Sequence, residues 1–145
     1  MRNRAFIAGI LVTLVAACVS GCGGGDSTPP TISPVGVAPT AYTYAGGQTT
    51  VDVVAYDGSA STPATEATAQ LLTSGTLTPV GNAVTLVLQS GAAFRGTLSI
   101  PPNLTAQTVT YLARVSARDA AANEATRDSQ AITVQGLDLP PPPPI

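Results

Sequence analysis

Few side chains in this sequence can do chemistry. Its 145 residues include no histidine, lysine or tryptophan, and both cysteines, Cys18 and Cys22, fall within the first two dozen. A thiolate is the strongest nucleophile on offer. Each cysteine follows one apolar and two small residues, as Val15-Ala-Ala-Cys18 and as Val19-Ser-Gly-Cys22. Ahead of them, Arg2 and Arg4 precede a mostly apolar run from Ala5 to Ala17. A positive start, a short apolar run and a small-residue processing site make an export signal. A membrane span needs about 20 apolar residues, and here Thr13, Ser20, Gly21 and three further glycines cut the run short.

The remaining candidates are carboxylates and aromatic rings. Without histidine, lysine or a cysteine beyond the signal, the usual bases and activated nucleophiles are missing. Two carboxylates can hydrolyse a glycosidic bond. However, Asp52, Asp57, Glu66, Asp119, Glu124 and Asp128 fall mostly at turns or outward strand positions, where solvation accounts for them. No enzyme is expected. Asp119, Asn123, Glu124 and Asp128 offer the hard oxygen ligands that calcium takes, but their spacing matches no loop that surrounds an ion. Asp119 and Asn123 are instead expected to satisfy the backbone of a turn. Neither metal nor cofactor is expected. Tyr42 and Tyr44, two residues apart, are the candidate ligand-binding rings, with Tyr56 as a third; the alternative is that they cap the core.

Charge narrows the partners. Removing the signal leaves four arginines (Arg95, Arg114, Arg118 and Arg127) against eight carboxylates, a net charge of −4. Nucleic-acid binding needs a basic stripe, so no nucleic-acid partner is expected. No disulfide or thiolate metal site is open to residues 31–135, which must be stabilised by an apolar core. About 105 residues suffice for one.

Residues 22–30, rich in Gly, Ser, Thr and Pro, read as a flexible tether, and residues 136–145 as a Pro-rich polyproline II tail. Strands are predicted over 31–37, with Pro34 confining the first to a sheet edge, over 49–57, over 66–72 and over 77–80, with Pro79 again at an edge. Val51, Val53 and Ala55 alternate with Asp52, Val54 and Tyr56, marking a half-buried strand. Residues 83–89 and 92–100 flank Ser90-Gly91 as a hairpin, with Val84, Leu86 and Leu88 on one face of the first arm and Phe94, Leu98 and Ile100 on one face of the second. Residues 107–119 place Val109, Tyr111, Ala113, Val115 and Ala117 on one face. Residues 124–135 close the body with Ala131 and Thr133 packing inward, and Ile132 and Val134 as further packing candidates. About seven antiparallel strands with regular turn signals and no helical period predict an all-β, immunoglobulin-like β-sandwich.

Two resemblances add to this. The residues before Cys18 and Cys22 resemble the bacterial lipoprotein signal, which implies that residues 1–21 are removed and that the new N-terminal cysteine is lipidated. Cys22 is favoured, because cleavage before Cys18 leaves a spare thiol in an exported protein; Cys18 is the alternative. Gly23 is not the aspartate of an inner-membrane retention signal, which implies outer-membrane delivery in a diderm source. Separately, Thr28-Pro-Pro-Thr-Ile-Ser, the Gly46-Gly47 turn before Val51-Asp-Val-Val-Ala-Tyr-Asp57, and Tyr111-Leu-Ala-Arg-Val-Ser-Ala-Arg-Asp-Ala-Ala-Ala-Asn-Glu-Ala125 resemble bacterial immunoglobulin-like or fibronectin type III-like domains. That family carries glycine where this chain has Ala122. It implies a corner role for Tyr111, ring inward and hydroxyl bonded to nearby backbone. Together these imply a membrane-anchored protein of the bacterial cell envelope, facing outward. Its body would be a non-catalytic structural, spacing or adhesive module, or alternatively a module binding a glycan or envelope protein through loops at one end.

Overall fold

The computed structural model describes residues 26–58 and 62–138. In chain order the strands are β1 (Thr31–Ile32), β2 (Gly36–Ala38), β3 (Ala41–Tyr42), β4 (Gly47–Tyr56), β5 (Glu66–Thr73) and β6 (Pro79–Thr85). They continue as β7 (Val87–Ser90), β8 (Ala93–Ile100), β9 (Val109–Arg118), β10 (Glu124–Asp128) and β11 (Ile132–Val134). There is no helix among the described residues, and so none long enough to cross a membrane.

One sheet runs β1-β4-β8-β7 with β2 also on β4; the other runs β3-β11-β9-β5-β6 with β10 also on β9. Named strands pair antiparallel, save β3, which lies parallel to β11. This division is that of an immunoglobulin-like sandwich, with strands A, B, E and D facing C, F and G. The count exceeds seven because some strands are broken. Pro34 has no N–H to give a ladder and separates β1 from β2, which both lie on β4. Residues 129–131 likewise separate β10 from β11, which both lie on β9.

The period-two faces set the core. Val51, Val53 and Ala55 of β4, and Phe94, Leu98 and Ile100 of β8, are buried against Tyr111, Ala113, Val115 and Ala117 of β9. Strand β5, whose alanines and threonines make a weak strand signal, adds Ala67, Ala69 and Leu71. Packing overrides propensity there, since β5 runs between β9 and β6. Both predicted edge prolines lie at edges, Pro34 beside β4 and Pro79 in the outermost strand of its sheet.

Three expectations are corrected. The arms about Ser90-Gly91 do pair, as β7 with β8, but residues 83–85 belong to β6 in the other sheet. The chain crosses between sheets at Leu86, which is 3% exposed and whose N–H bonds Ala67 O at 2.8 Å. Val84, Leu86 and Leu88 therefore share no face, and Leu88 is exposed. Alternation reports a buried face, not which sheet covers it. Leu86 also explains Gly96, where a Cβ would come within 2.5 Å of Leu86 Cδ2. In the last strand Ile132 and Val134 are buried and Ala131 is exposed. The break at 129–131 shifts the phase by one residue, which exchanges the faces. Finally, the Tyr111 ring is buried as expected, yet its hydroxyl has no hydrogen-bond partner among the described residues.

The turn between β9 and β10 holds its alanine under strain. Ala122 has φ +67° and donates its N–H to Asp119 O at 3.2 Å. A Cβ in the left-handed region costs about 1–2 kcal/mol, part of which a glycine returns as unfolded-chain entropy. Ala122→Gly should therefore raise stability by about 0.5–1 kcal/mol, seen in urea as a higher midpoint at unchanged slope.

Candidate functional site

The chain enters at one end of the sandwich and leaves at the other. Because Thr31 pairs with Tyr56, residues 26–30 lie beside the end of β4. Thr65 N–H bonds Arg118 O at 2.8 Å, bringing the start of β5 and the β9–β10 turn to this proximal end. The distal end gathers residues 43–46, 74–78, 101–108 and 135–138. There Asn103 N–H bonds Tyr44 O at 2.7 Å, Gln135 N–H bonds Tyr42 O at 2.9 Å and Leu137 N–H bonds Thr105 O at 2.7 Å. The expected lipidation residues, Cys22 and its alternative Cys18, lie outside the described residues, as do residues 139–145.

Asn103 organises the distal end. The Pro101-Pro102 pair ends β8 and delivers Asn103 into a buried position. Its Nδ2 donates to Gln107 O at 2.7 Å and to Val134 O and Gln135 O at 3.2 Å. Its Oδ1 accepts from Thr105 N–H at 3.1 Å and Thr105 Oγ1 at 2.7 Å. A buried amide is costly unless bonded; this one is bonded throughout. The sequence marks the position only as a break after two prolines, since a buried amide has no periodic signature.

The tyrosines divide by role. Tyr42 packs against the core, and its hydroxyl donates to Pro39 O at 3.1 Å and Gln48 O at 2.8 Å. Beside it the buried Thr49 Oγ1 donates to the same Pro39 O at 2.9 Å. A Cβ on Gly47 would lie 3.1 Å from Tyr42 Cε1, close enough that the ring would have to give by a few tenths of an ångström. Tyr44 instead is 47% exposed, on a turn closed by Gly46 N–H to Thr43 O at 3.1 Å, and its carbonyl takes the N–H of Asn103, the residue before Leu104, which is 72% exposed. Gly46 is required in that turn. Its φ is +69°, and a Cβ would run into the carbonyls of Ile100 and Pro101. Tyr56 is half-buried at the opposite end of β4, so the three rings do not meet. The distal loops 43–46, 74–78 and 101–108 carry no charged residue.

Charge concentrates elsewhere. Arg95 pairs with Asp52 at 2.6 Å, Arg114 with Asp128 at 2.7 Å and Arg118 with Glu124 at 3.3 Å, each between strands in register. Arg127 Nη1 bonds Ile32 O at 2.8 Å, so all four arginines among the described residues are engaged. Hydrogen bonding to Arg114 holds the Asp128 carboxyl below the usual range. Of the four oxygen-bearing residues weighed for calcium, Glu124 and Asp128 thus go to arginines. Asp119 instead binds Asn123, accepting from its N–H on Oδ1 and from its Nδ2 on Oδ2, both at 2.8 Å.

The carboxylates that do converge are Asp26, Asp57 and Asp119, with one oxygen of each within 4.8 Å of the others. They come from three distant segments, which is why spacing does not reveal them. Among the described residues this is the one group of acidic ligands close enough to share a cation. Two surface cavities, of about 200 Å³ beside Glu66 and Glu124 and about 460 Å³ beside Asp52 and Arg95, are lined by other residues. Burial pushes the Asp57 carboxyl up, and the charges of Asp26 and Asp119 push it further. Burial acts the same way on Asp119. The hydrogen bonds from the Asn123 side chain and backbone and from the backbone of Ala121 and Ala122 outweigh it, so Asp119 titrates below its ordinary range.

No family model and no curated protein matches the sequence. Among solved structures the chain is similar to a variant of BcpA, the major pilin subunit of Bacillus cereus, at 11% identity and a TM-score of 0.35. The similarity covers 74% of this chain and 40% of that one, so the chain spans well under half its length.

Two predictions follow from this geometry. Tyr42→Phe should lower stability by about 0.5–1 kcal/mol, the low end for a hydrogen bond that water can reach, whereas Tyr111→Phe should change it by less than about 0.5 kcal/mol; urea midpoints of the two variants check this. With its folded-state pKa raised, Asp57 opposes folding at neutral pH and ceases to do so as pH falls through that pKa. Asp57→Asn should then raise the urea midpoint at pH 7, with the gain vanishing below about pH 3, where carboxylates are protonated. The depressed Asp119 acts oppositely, its stabilisation being lost as pH falls through its folded-state pKa.

Proposed function

We propose that this is a lipid-anchored protein of the bacterial cell envelope whose immunoglobulin-like body is a non-catalytic structural, spacing or adhesive module facing outward from the membrane. The observation that carries this reading is the placement of the chain's two crossings. Residues 26–30 join the body at the Asp57 and Asp119 end, and residues 135–138 leave it at the Asn103 and Tyr44 end. A domain threaded end to end sets a distance between what holds it and what it presents. The lack of histidine, lysine and any cysteine beyond Cys22 supports a non-catalytic role, and so does the engagement of the four arginines among the described residues, three with carboxylates and Arg127 with a backbone carbonyl.

A second reading is recognition of a glycan or an envelope protein by the distal loops. It is favoured by Tyr44 and Leu104 both standing exposed at the distal end, on segments joined by the bond from Asn103 N–H to Tyr44 O. Since the Tyr42 hydroxyl is spent on Pro39 and Gln48, the binding would fall on Tyr44. A glycan array with the full chain separates the readings: binding lost in Tyr44→Ala supports recognition, and silence supports a spacer.

Anchoring is tested on the chain produced in a bacterial host. Mass spectrometry of its N-terminal peptide should find diacyl or triacyl mass on Cys22. An acylated Cys18 would move the site, and an unmodified N-terminus would refute the anchor.

A further inference from the structure

The residues just before β1 are tied to a distant turn. Asn123 Nδ2 donates to Asp26 O at 3.0 Å and to Thr28 O at 3.4 Å, reaching 97 and 95 positions back along the sequence. The same amide is held from behind by Asp119 Oδ2 at 2.8 Å. Thr28 N–H bonds Asp26 Oδ1 at 2.9 Å, which folds the segment over the turn, and Pro30 is buried. Capping the β9–β10 turn needs only the bonds between Asn123 and Asp119. The bonds to Asp26 and Thr28 do something else.

We propose that the β9–β10 turn is a clasp for the leader, in which Asn123, positioned by Asp119, moves the first fixed point of the body from Thr31 back to Asp26. Its consequence rests on the anchored reading above. Only Gly23, Gly24 and Gly25 separate Cys22 from Asp26. Those four peptide steps reach at most about 14 Å, against about 32 Å for the nine steps to Thr31. A closed clasp therefore keeps the proximal end within about 14 Å of a lipidated Cys22 and points the uncharged distal loops away from the membrane. An open one more than doubles that reach and frees the body to tilt. Asn123 is thus a positioning residue: it sets how far the module stands off, without touching what the module meets.

Backbone order parameters of the full chain in detergent micelles test this. In the parent, the Ser27 and Thr28 amides should share the value of about 0.85 typical of rigid backbone. In Asn123→Ala both should fall below about 0.6, the flexible range, while Val53 and Val115 in the core strands stay at about 0.85. Mobile Ser27 and Thr28 in the parent, or unchanged order in the variant, would overturn the clasp. If Val53 and Val115 show that Asn123→Ala has lost its fold, Asn123→Asp gives the same reading. It keeps the size and the acceptor and removes the donor, and the same outcomes decide. The order parameters do not depend on acylation, so an acylated Cys22 with a mobile leader refutes the clasp alone.

Discussion

The carboxylate of Asp119 is the group on which the proximal end depends. It is 3% exposed, and a buried charge is tolerated only when hydrogen-bonded. Its two oxygens are met by the N–H and the side-chain amide of Asn123. That requirement fixes the turn after β9, which sets the register of β10, with Glu124 opposite Arg118 and Asp128 opposite Arg114. It forces Ala122 into the left-handed region, and it aims the Asn123 amide at the leader. The same negative charge, with Asp26, acts on Asp57. One buried carboxyl thereby couples turn geometry, strand register and the attachment of the N-terminal segment.

Asn103 does the matching work at the other end, with neutral groups. A sandwich without a disulfide has open ends where the two sheets part, and loops there leave backbone carbonyls to be satisfied. One amide bonded to Gln107, Val134 and Gln135 closes the distal end and holds the loop that carries Leu104. Between these two polar closures the core is built largely of apolar side chains, among them the small Ala67, Ala69, Ala113 and Ala117. The result is a body with a charged proximal end and a distal end whose loops 43–46, 74–78 and 101–108 carry no charge.

Much of the fold is legible in the sequence wherever a strand is long and covered on one side. Strands β4, β8 and β9 keep their period of two without interruption, and every inward residue read from β8, and all but the half-buried Val109 in β9, is buried. Legibility fails where one run of residues serves two sheets. Leu86 is a crossing point and the 129–131 break is a phase change, and neither alters composition enough to show. The hydroxyl role that the family resemblance implies for Tyr111 is filled instead by Tyr42, at the distal end of the sandwich. Sites assembled from far-apart segments are the least readable. The approach of Asp26 to Asp57 and Asp119, and the bonds from Asn123 to the leader, exist only once β1 has paired with β4.

The proposed anchoring stands or falls on whether the proximal end of the sandwich lies at a membrane surface. The full chain in lipid nanodiscs that contain a paramagnetic headgroup lipid gives the most direct measurement, through broadening of individual amide signals. Broadening should be strongest at Asp57 and Ala121, fade along β4 and β9, and be absent at Tyr44 and Leu104. Broadening that is uniform, reversed in direction or missing altogether would contradict a body held by its proximal end.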